Sequence, residues 1–246
     1  MNINDFVRNS TASYLYGANG TSATANSLSG AATLGLDKAN QRIQSLVDTN
    51  TAQLSTVGKL KSSISSLQIS AQALGKLASN STNAENKTAA NNLVKAFNDA
   101  AATAKSTAKD PGEPASFQSA TRVGKDLQRA VTADATTAAA LKKIGASVSG
   151  EGKLVIDTAK WNTAQLSDPS GVRASLVKIG QQLDNTTTQE LAVSGNVGSA
   201  LASLAQSNTL LKNQQATLSA LQAPSTASTG SRFGPFGAGL STYQNS

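Results

Sequence analysis

Residues 43–78 read IQSLVDTNTAQLSTVGKLKSSISSLQISAQALGKLA, and apolar residues recur along this stretch at alternating spacings of three and four. That spacing is typical of a helix that packs along a partner through one narrow stripe. Because such a stripe does not stabilise an isolated helix, the stretch predicts a long helix over residues 36–79 that lies against another helix. The predicted seam comprises Ile43, Leu46, Asn50, Gln53, Val57, Leu60, Ile64, Leu67, Ala71, Leu74 and Ala78.

The partner is expected in the last long periodic segment, residues 189–223. In an antiparallel pair, Asn208 can face Asn50, which places Leu201 near Val57 and Leu211 near Leu46. A buried pair of asparagines fixes the register of two helices at some cost in stability. The sequence therefore predicts a long antiparallel, coiled-coil-like helix pair. The second seam comprises Val197, Leu201, Leu204, Asn208, Leu211, Gln215 and Leu218.

His and Cys are both absent from the 246 residues, and their absence restricts the chemistry open to the protein. It excludes thiol nucleophiles, disulfides, imidazole bases and nearly all zinc or copper sites. We therefore expect no enzymatic activity, no cofactor and no metal site. The net charge is +7, but the Lys and Arg residues are scattered and not interleaved with aromatic residues. We expect a solvated basic face and no nucleic-acid partner.

Both ends of the chain are rich in small and polar residues. Residues 1–19 contain no continuous apolar run, so we expect neither a cleaved signal nor insertion into a membrane. Residues 1–35 and the Gly/Ser-rich tail, residues 224–246, are expected to be flexible alone and to order on assembly. Their predicted apolar anchors are Phe6, Val7, Tyr14, Leu15, Tyr16, Phe233 and Phe236.

The middle of the chain, residues 80–188, predicts a compact helical region with one β-hairpin at about residues 144–156. A polar loop is expected over residues 80–87, and helices over 88–108, 115–132 and 170–183, while residues 132–140 are ambiguous. Asp157 or Thr158 can cap a short helix that contains Trp161, which we expect to anchor the core. We expect tight packing or bending at Gly58 and Gly75. The predicted core faces of the first two helices comprise Leu93, Val94, Phe97, Ala101, Ala104, Phe117, Ala120, Val123, Leu127 and Val131.

Three segments carry a resemblance to a known family. The block LKKIGASVSGEGKLVIDTAKWNTAQLSDPSGV, residues 141–172, resembles the C-terminal region of flagellar filament cap proteins, also called hook-associated protein 2. LKSSISSLQ, within residues 54–74, is similar to the family's N-terminal coiled-coil helix. NLVKAFN, residues 92–98, followed by Asp110 and Pro111, is similar to the segment where the family's chain re-enters its helical core. The resemblance spans roughly residues 35–175.

The resemblance implies a structural protein of the flagellar axial class, exported through a flagellar-type channel and assembled outside the cell with identical subunits. Flagellar hook–filament components or an export chaperone are further partners that it implies. Members of the family carry a large insertion that forms the cap plate, and only residues 80–87 stand in its place here. We therefore expect a filament, or a reduced structure at a filament tip. The alternative is a monomeric secreted adhesin or effector.

Overall fold

The structure is a computed structural model that describes residues 30–109 and 114–222. The predicted anchors at positions 6, 7, 14–16, 233 and 236 lie outside the described residues. Within them the chain is mainly α with one β-hairpin, which confirms this part of the predicted fold class. The elements are α1 (Gly30–Gly75), α2 (Asn83–Thr107), α3 (Pro114–Thr132), α4 (Ala135–Lys143), β1 (Ala146–Val148), β2 (Leu154–Ile156), α5 (Thr158–Ser167), α6 (Pro169–Leu191) and α7 (Asn196–Gln222).

The chain divides into two compact units. One unit is residues 42–217 and contains the hydrophobic core. The other combines residues 1–41 with residues 218–246, of which the structure describes 30–41 and 218–222.

α2 begins five residues earlier than the sequence pattern predicts, because a capping box starts it. The Thr82 hydroxyl accepts from the Glu85 backbone N–H at 3.2 Å, and the Thr82 N–H donates to Glu85 Oε2 at 2.8 Å. This hydrogen bond from the Thr82 backbone lowers the pKa of the Glu85 carboxyl. The predicted loop over residues 80–87 is therefore correct only for residues 80–82, because residues 83–87 belong to α2. The Thr-x-x-Glu spacing at 82–85 is the signal that identifies the helix start.

An aspartate caps each of the helices α4, α5 and α6. Asp134 caps α4, so the ambiguous residues 132–140 comprise the end of α3, a break at 133–134 and the start of α4. Asp157 caps α5. Asp168 caps α6 by accepting from the Gly171 N–H at 2.8 Å, and it also pairs with Lys143 of α4 at 2.8 Å. The pKa of Asp168 is lowered to about 2, and its hydrogen bond with the Lys143 ammonium makes the largest contribution. Asp168 therefore ties the end of α4 to the start of α6.

The hairpin forms where it is predicted, with Ala146 opposite Ile156 and Val148 opposite Leu154 in an antiparallel register. Asn98 of α2 satisfies the free edge of β2. Its Oδ1 accepts from the Leu154 N–H at 2.8 Å, and its Nδ2 donates to the Leu154 carbonyl at 2.9 Å. Because an edge strand leaves backbone groups unpaired, this side-chain amide closes the sheet against the helical core.

The core confirms most of the predicted inward faces. Phe97 is fully buried, and Trp161 is buried as expected. Phe117 is an exception and is 47% exposed, because it lies in the first turn of α3. The face of α2 is centred slightly differently from the prediction, since Ala100 is buried while Val94 and Ala101 are half-buried.

Close packing occurs at a glycine that the sequence pattern does not single out. A Cβ at Gly58 would have no neighbour within 4 Å, so the tight packing predicted at Gly58 is wrong. α1 ends at Gly75, and there the packing is tight at the backbone, since a Cβ at Gly180 of α6 would lie 2.8 Å from the Gly75 nitrogen. The same Cβ at Gly180 would lie 2.6 Å from the Ala71 carbonyl oxygen. α6 therefore approaches the backbone of α1 more closely than any side chain allows.

The predicted helix over residues 189–223 is two consecutive helices. α6 continues to Leu191, and α7 begins at Asn196 after a turn in which the Gly195 N–H donates to the Ala192 carbonyl at 2.8 Å. A Cβ at Gly195 would collide with the carbonyl oxygen of Gln189. The helix is interrupted here at a point too crowded for a side chain.

Gly180→Ala should destabilise the fold by about 1–3 kcal/mol, because the added methyl group overpacks against the backbone of α1. Gly58→Ala is the matched control, since the new methyl group lies in open space and a helical Gly costs about 0.5–1 kcal/mol relative to Ala. Chemical denaturation of both variants measures the free energy of unfolding. Equal effects of the two substitutions would contradict the close approach.

Candidate interaction surface

Two hydrogen bonds between side chains join α1 to α7. Asn50 Nδ2 donates to Ser207 Oγ at 2.9 Å, and Gln215 Nε2 donates to Gln44 Oε1 at 2.6 Å. Moving from Asn50 to Gln44 runs backwards along α1, whereas moving from Ser207 to Gln215 runs forwards along α7. The two helices are therefore antiparallel where they make these contacts.

Burial follows the predicted seam over most of its length. The buried members on α1 are Asn50, Gln53, Val57, Leu60, Ile64, Leu67, Ala71 and Leu74, and on α7 they are Val197, Leu204 and Leu211. The half-buried members are Ile43, Leu201, Asn208, Gln215 and Leu218. Ala78 follows the end of α1 and is exposed. The part that these residues play in assembly stays a prediction.

Leu46 does not lie in the seam. Its side chain is 41% exposed, and its neighbour Val47 is 7% exposed and takes the inward position. Gln44, Val47 and Asn50 are spaced by three, so they form the line that faces α7. Successive residues of an α-helix point about 100° apart. Because Val47 points towards α7, the side chain of Leu46 lies outside the interface of the two helices.

The predicted contact between Asn50 and Asn208 is not made, although the register of the two helices is close to the predicted one. That register pairs residue 50 with 208 and residue 44 with 214, and the two observed contacts deviate from it by one residue in opposite directions. Asn50 bonds to Ser207 and not to Asn208. The shorter Ser207 hydroxyl lies on the line towards α1, one helical step before Asn208. Within the described residues, Asn208 Oδ1 and Gln53 Oε1 are buried without a hydrogen-bond partner. Polar side chains thus lie in the seam, but only some of their buried hydrogen-bonding atoms have a partner there.

α6 also lies along α1, and sequence analysis did not predict this contact. Gln68 Nε2 donates to Thr188 Oγ1 at 2.8 Å, and Gln72 Nε2 donates to Asp184 Oδ1 at 3.0 Å. These contacts have the same antiparallel order as those of α7. The apolar periodicity of α6 and its small Gly180 indicate a closely packed helix, but they do not identify α1 as its partner.

A buried carboxyl group lies at the junction of α6 and α7. Glu190 is 5% exposed, and Asn196 Nδ2 donates to its two oxygens at 3.1 and 2.9 Å. The same amide lies 3.4 Å from Asp126 Oδ2 of α3, and Asp126 pairs with Arg129 at 3.5 Å. Burial is the main reason why the pKa of Glu190 is raised, and the nearby Asp126 carboxyl raises this pKa further. The hydrogen bonds from Asn196 act in the opposite direction and lower it.

The open cavities in the described residues do not assemble reactive groups. One, of about 400 Å³, lies beside Lys142, Lys143 and Lys160, but Asp168 already accepts from Lys143 at its edge. A groove of about 510 Å³ between α1 and α2 is lined by serines, and Ser63, Ser66 and Ser70 donate to carbonyls of their own helix.

Two further features concern the described residues alone. They contain no group of three His, Cys, Asp or Glu side chains placed to hold a metal ion. None of their helices has the length and apolarity needed to cross a membrane.

Comparison with known proteins gives no relative: no family model, curated protein or solved structure matches this chain. The described surface with the most distinctive geometry is the helix pair of α1 and α7.

Ser207→Ala should destabilise the protein by about 1–3 kcal/mol, because the buried Asn50 amide loses its acceptor. Ser203→Ala is the control on the exposed side of the same helix and should change stability little. Thermal and chemical denaturation measure the difference. If the two variants are equally stable, the contact between Asn50 and Ser207 contributes nothing.

Glu190→Gln should stabilise the protein at neutral pH, because the buried carboxyl ionises more readily in the unfolded chain. Wild-type stability falls as pH rises from the ordinary Glu pKa to the raised one, and it stays lower above that range. The advantage of the variant should therefore vanish at about pH 4, near the ordinary pKa. Glu151→Gln, in the exposed hairpin turn, is the control that should give no such gain. Denaturation at both pH values tests this, and a destabilised Glu190→Gln at neutral pH would contradict it.

Proposed function

We propose that the protein is a structural subunit of the flagellar axial type, which self-assembles outside the cell through packing of helices between identical subunits. Its product is a filament, or a structure at a filament tip, on the bacterial surface. In this proposal α1 and α7 form a coiled-coil-like pair in each subunit. The pair presents its outer surface to neighbouring copies.

The observation that carries the proposal is the incomplete burial of the helix pair. Two seam oxygens, Gln53 Oε1 and Asn208 Oδ1, are buried without partners within the described residues. Two leucines on the pair are exposed, Leu46 by 41% and Leu210 by 54%. A half-satisfied polar network stabilises a helix pair weakly, so packing against further helices adds stability that the isolated pair lacks.

The resemblance to flagellar cap proteins also supports the proposal. The block at residues 141–172 covers the end of α4, the hairpin, α5 and the start of α6. Only residues 76–82 connect α1 to α2, where that family carries its plate-forming insertion. The short connection favours a filament over a cap plate, and it favours identical subunits as the main partners.

Electron microscopy of the concentrated, purified full-length protein tests the proposal. We expect filaments from the full-length chain and none from a matched chain that lacks residues 1–35 and 224–246. Closed rings would favour the tip structure. Monomers at every concentration and salt condition tried would contradict self-assembly, and binding of those monomers to surfaces would favour an adhesin.

A further inference from the structure

Leu46 and Leu210 lie at the same level along the helix pair. The contacts of Asn50 with Ser207 and of Gln44 with Gln215 fix which residues of α1 and α7 are opposite each other. Leu46 falls between Gln44 and Asn50, and Leu210 falls between Ser207 and Gln215. The two exposed leucines are therefore neighbours across the pair.

Both leucines also lie on the same side of the pair. Val47 and Leu211 are the buried residues that face the partner helix, and Leu46 and Leu210 each precede one of them by a single residue. One step back rotates a side chain by about 100°. Because the helices run in opposite directions, equal steps back turn both leucines towards the same side.

The opposite side of the pair is charged. Asp48 and Lys212 each follow the inward residue by one step, so the same geometry turns both of them away from the leucines. The residues around Leu46 and Leu210 on this side of the pair are uncharged, and Arg42 marks the edge of the uncharged area. They include Thr49, Gln53, Ser203, Gln206, Gln214 and Thr217. We call this side the leucine face.

The leucine face continues a stripe that the protein's own core covers further along α1. The positions at seven-residue intervals after Leu46 are Gln53, Leu60 and Leu67, and all three are buried. Among the described residues, Leu46 is the first position on this stripe that the other helices leave partly exposed. The leucine face is thus continuous with the core, and the described helices do not cover it as they cover the core.

We propose that the leucine face binds the leucine face of a second copy, so that two helix pairs form a four-helix layer. This inference rests on the proposed function and names the contact that it uses. Self-pairing brings Leu46 and Leu210 of both copies together and leaves Asp48 and Lys212 in solvent. A charged partner would bury its charges against uncharged side chains, which is costly. Two helix pairs that meet through one face each have the geometry of a four-helix bundle and close by two-fold symmetry.

The size of the face predicts a weak contact. About 12 residues of α1 span about 20 Å, and two helices side by side are about 20 Å wide, which gives roughly 400 Å² per copy. A stable interface buries about 800 Å² per partner. The leucine face alone therefore supports a concentration-dependent association that further contacts between subunits strengthen.

Disulfide cross-linking of the full-length chain tests the inference, because the chain contains no cysteine. Leu46→Cys, Leu210→Cys and a mixture of the two variants are oxidised at increasing protein concentration. We expect linked dimers in at least one of these three samples, and the combination that links identifies which leucines are closest. Asp48→Cys, Lys212→Cys and their mixture are the matched controls on the charged side and should stay monomeric.

Equal linking on the two sides, or none on the leucine side, would overturn the inference. If a thiol at position 46 or 210 resists labelling in a monomer, the chain itself covers the leucine face. That result would also overturn the inference. Leu46→Asp with Leu210→Asp separates this inference from the proposed function. If the double variant forms the same filaments as the wild type, the leucine face is rejected and self-assembly is retained. If the cysteine variants link into dimers but the wild-type chain forms no filaments, the leucine face is retained and the proposed filament is rejected.

Discussion

The burial of one stripe of α1 is the interaction on which the rest of the structure depends. Val57, Leu60, Ile64, Leu67 and Leu74 are at most 2% exposed and belong to a single core cluster with residues of α2 to α7. Each such side chain contributes about 1.5–3 kcal/mol when fully buried. With only 4% aromatic residues in the chain, few other side chains could replace this stripe. The core is therefore built along one helix.

Two consecutive helices, α6 and α7, pack against α1. Their junction determines where the partner of α1 changes from one helix to the other. α6 approaches the α1 backbone at Gly180, and α7 contacts α1 through Asn50 and Gln44. The junction between them is held to α3 through Asn196, which lies between Glu190 and Asp126. Beyond Leu204, the only buried apolar side chain described on α7 is Leu211. α7 thus leaves the core and accompanies α1 with little else around it.

The sequence pattern predicted the features that local periodicity and turn chemistry control. The seam from Asn50 to Leu74, the hairpin, the Asp157 cap and the burial of Trp161 all follow from spacing within a few residues. The errors have a common physical origin. Periodicity states which residues share a face, but it does not state where the partner begins and ends. Leu46 and Phe117 were therefore assigned to inward faces at positions that the described residues leave partly exposed.

The break between α6 and α7 was harder to predict for the same reason. The segment over residues 189–223 is helical in pattern, and only the crowding at Gly195 reveals a turn there. The partial contact of α6 with α1 depends on residues more than 100 positions apart, such as Gln68 and Thr188. No local signal specifies a contact of that separation.

The polar residues in the seam and the apolar residues outside it have a joint explanation in the register of the pair. The contact between Asn50 and Ser207 holds α1 and α7 at one level, and this level alone brings Leu46 and Leu210 side by side. A slip of one residue on α7 would rotate its side chains by about 100° and would break up the leucine face. The polar contact lowers the stability that an apolar pair would have, but it specifies the register. A seam with polar residues is therefore consistent with a protein in which the position of the outer surface matters more than the strength of the inner contact.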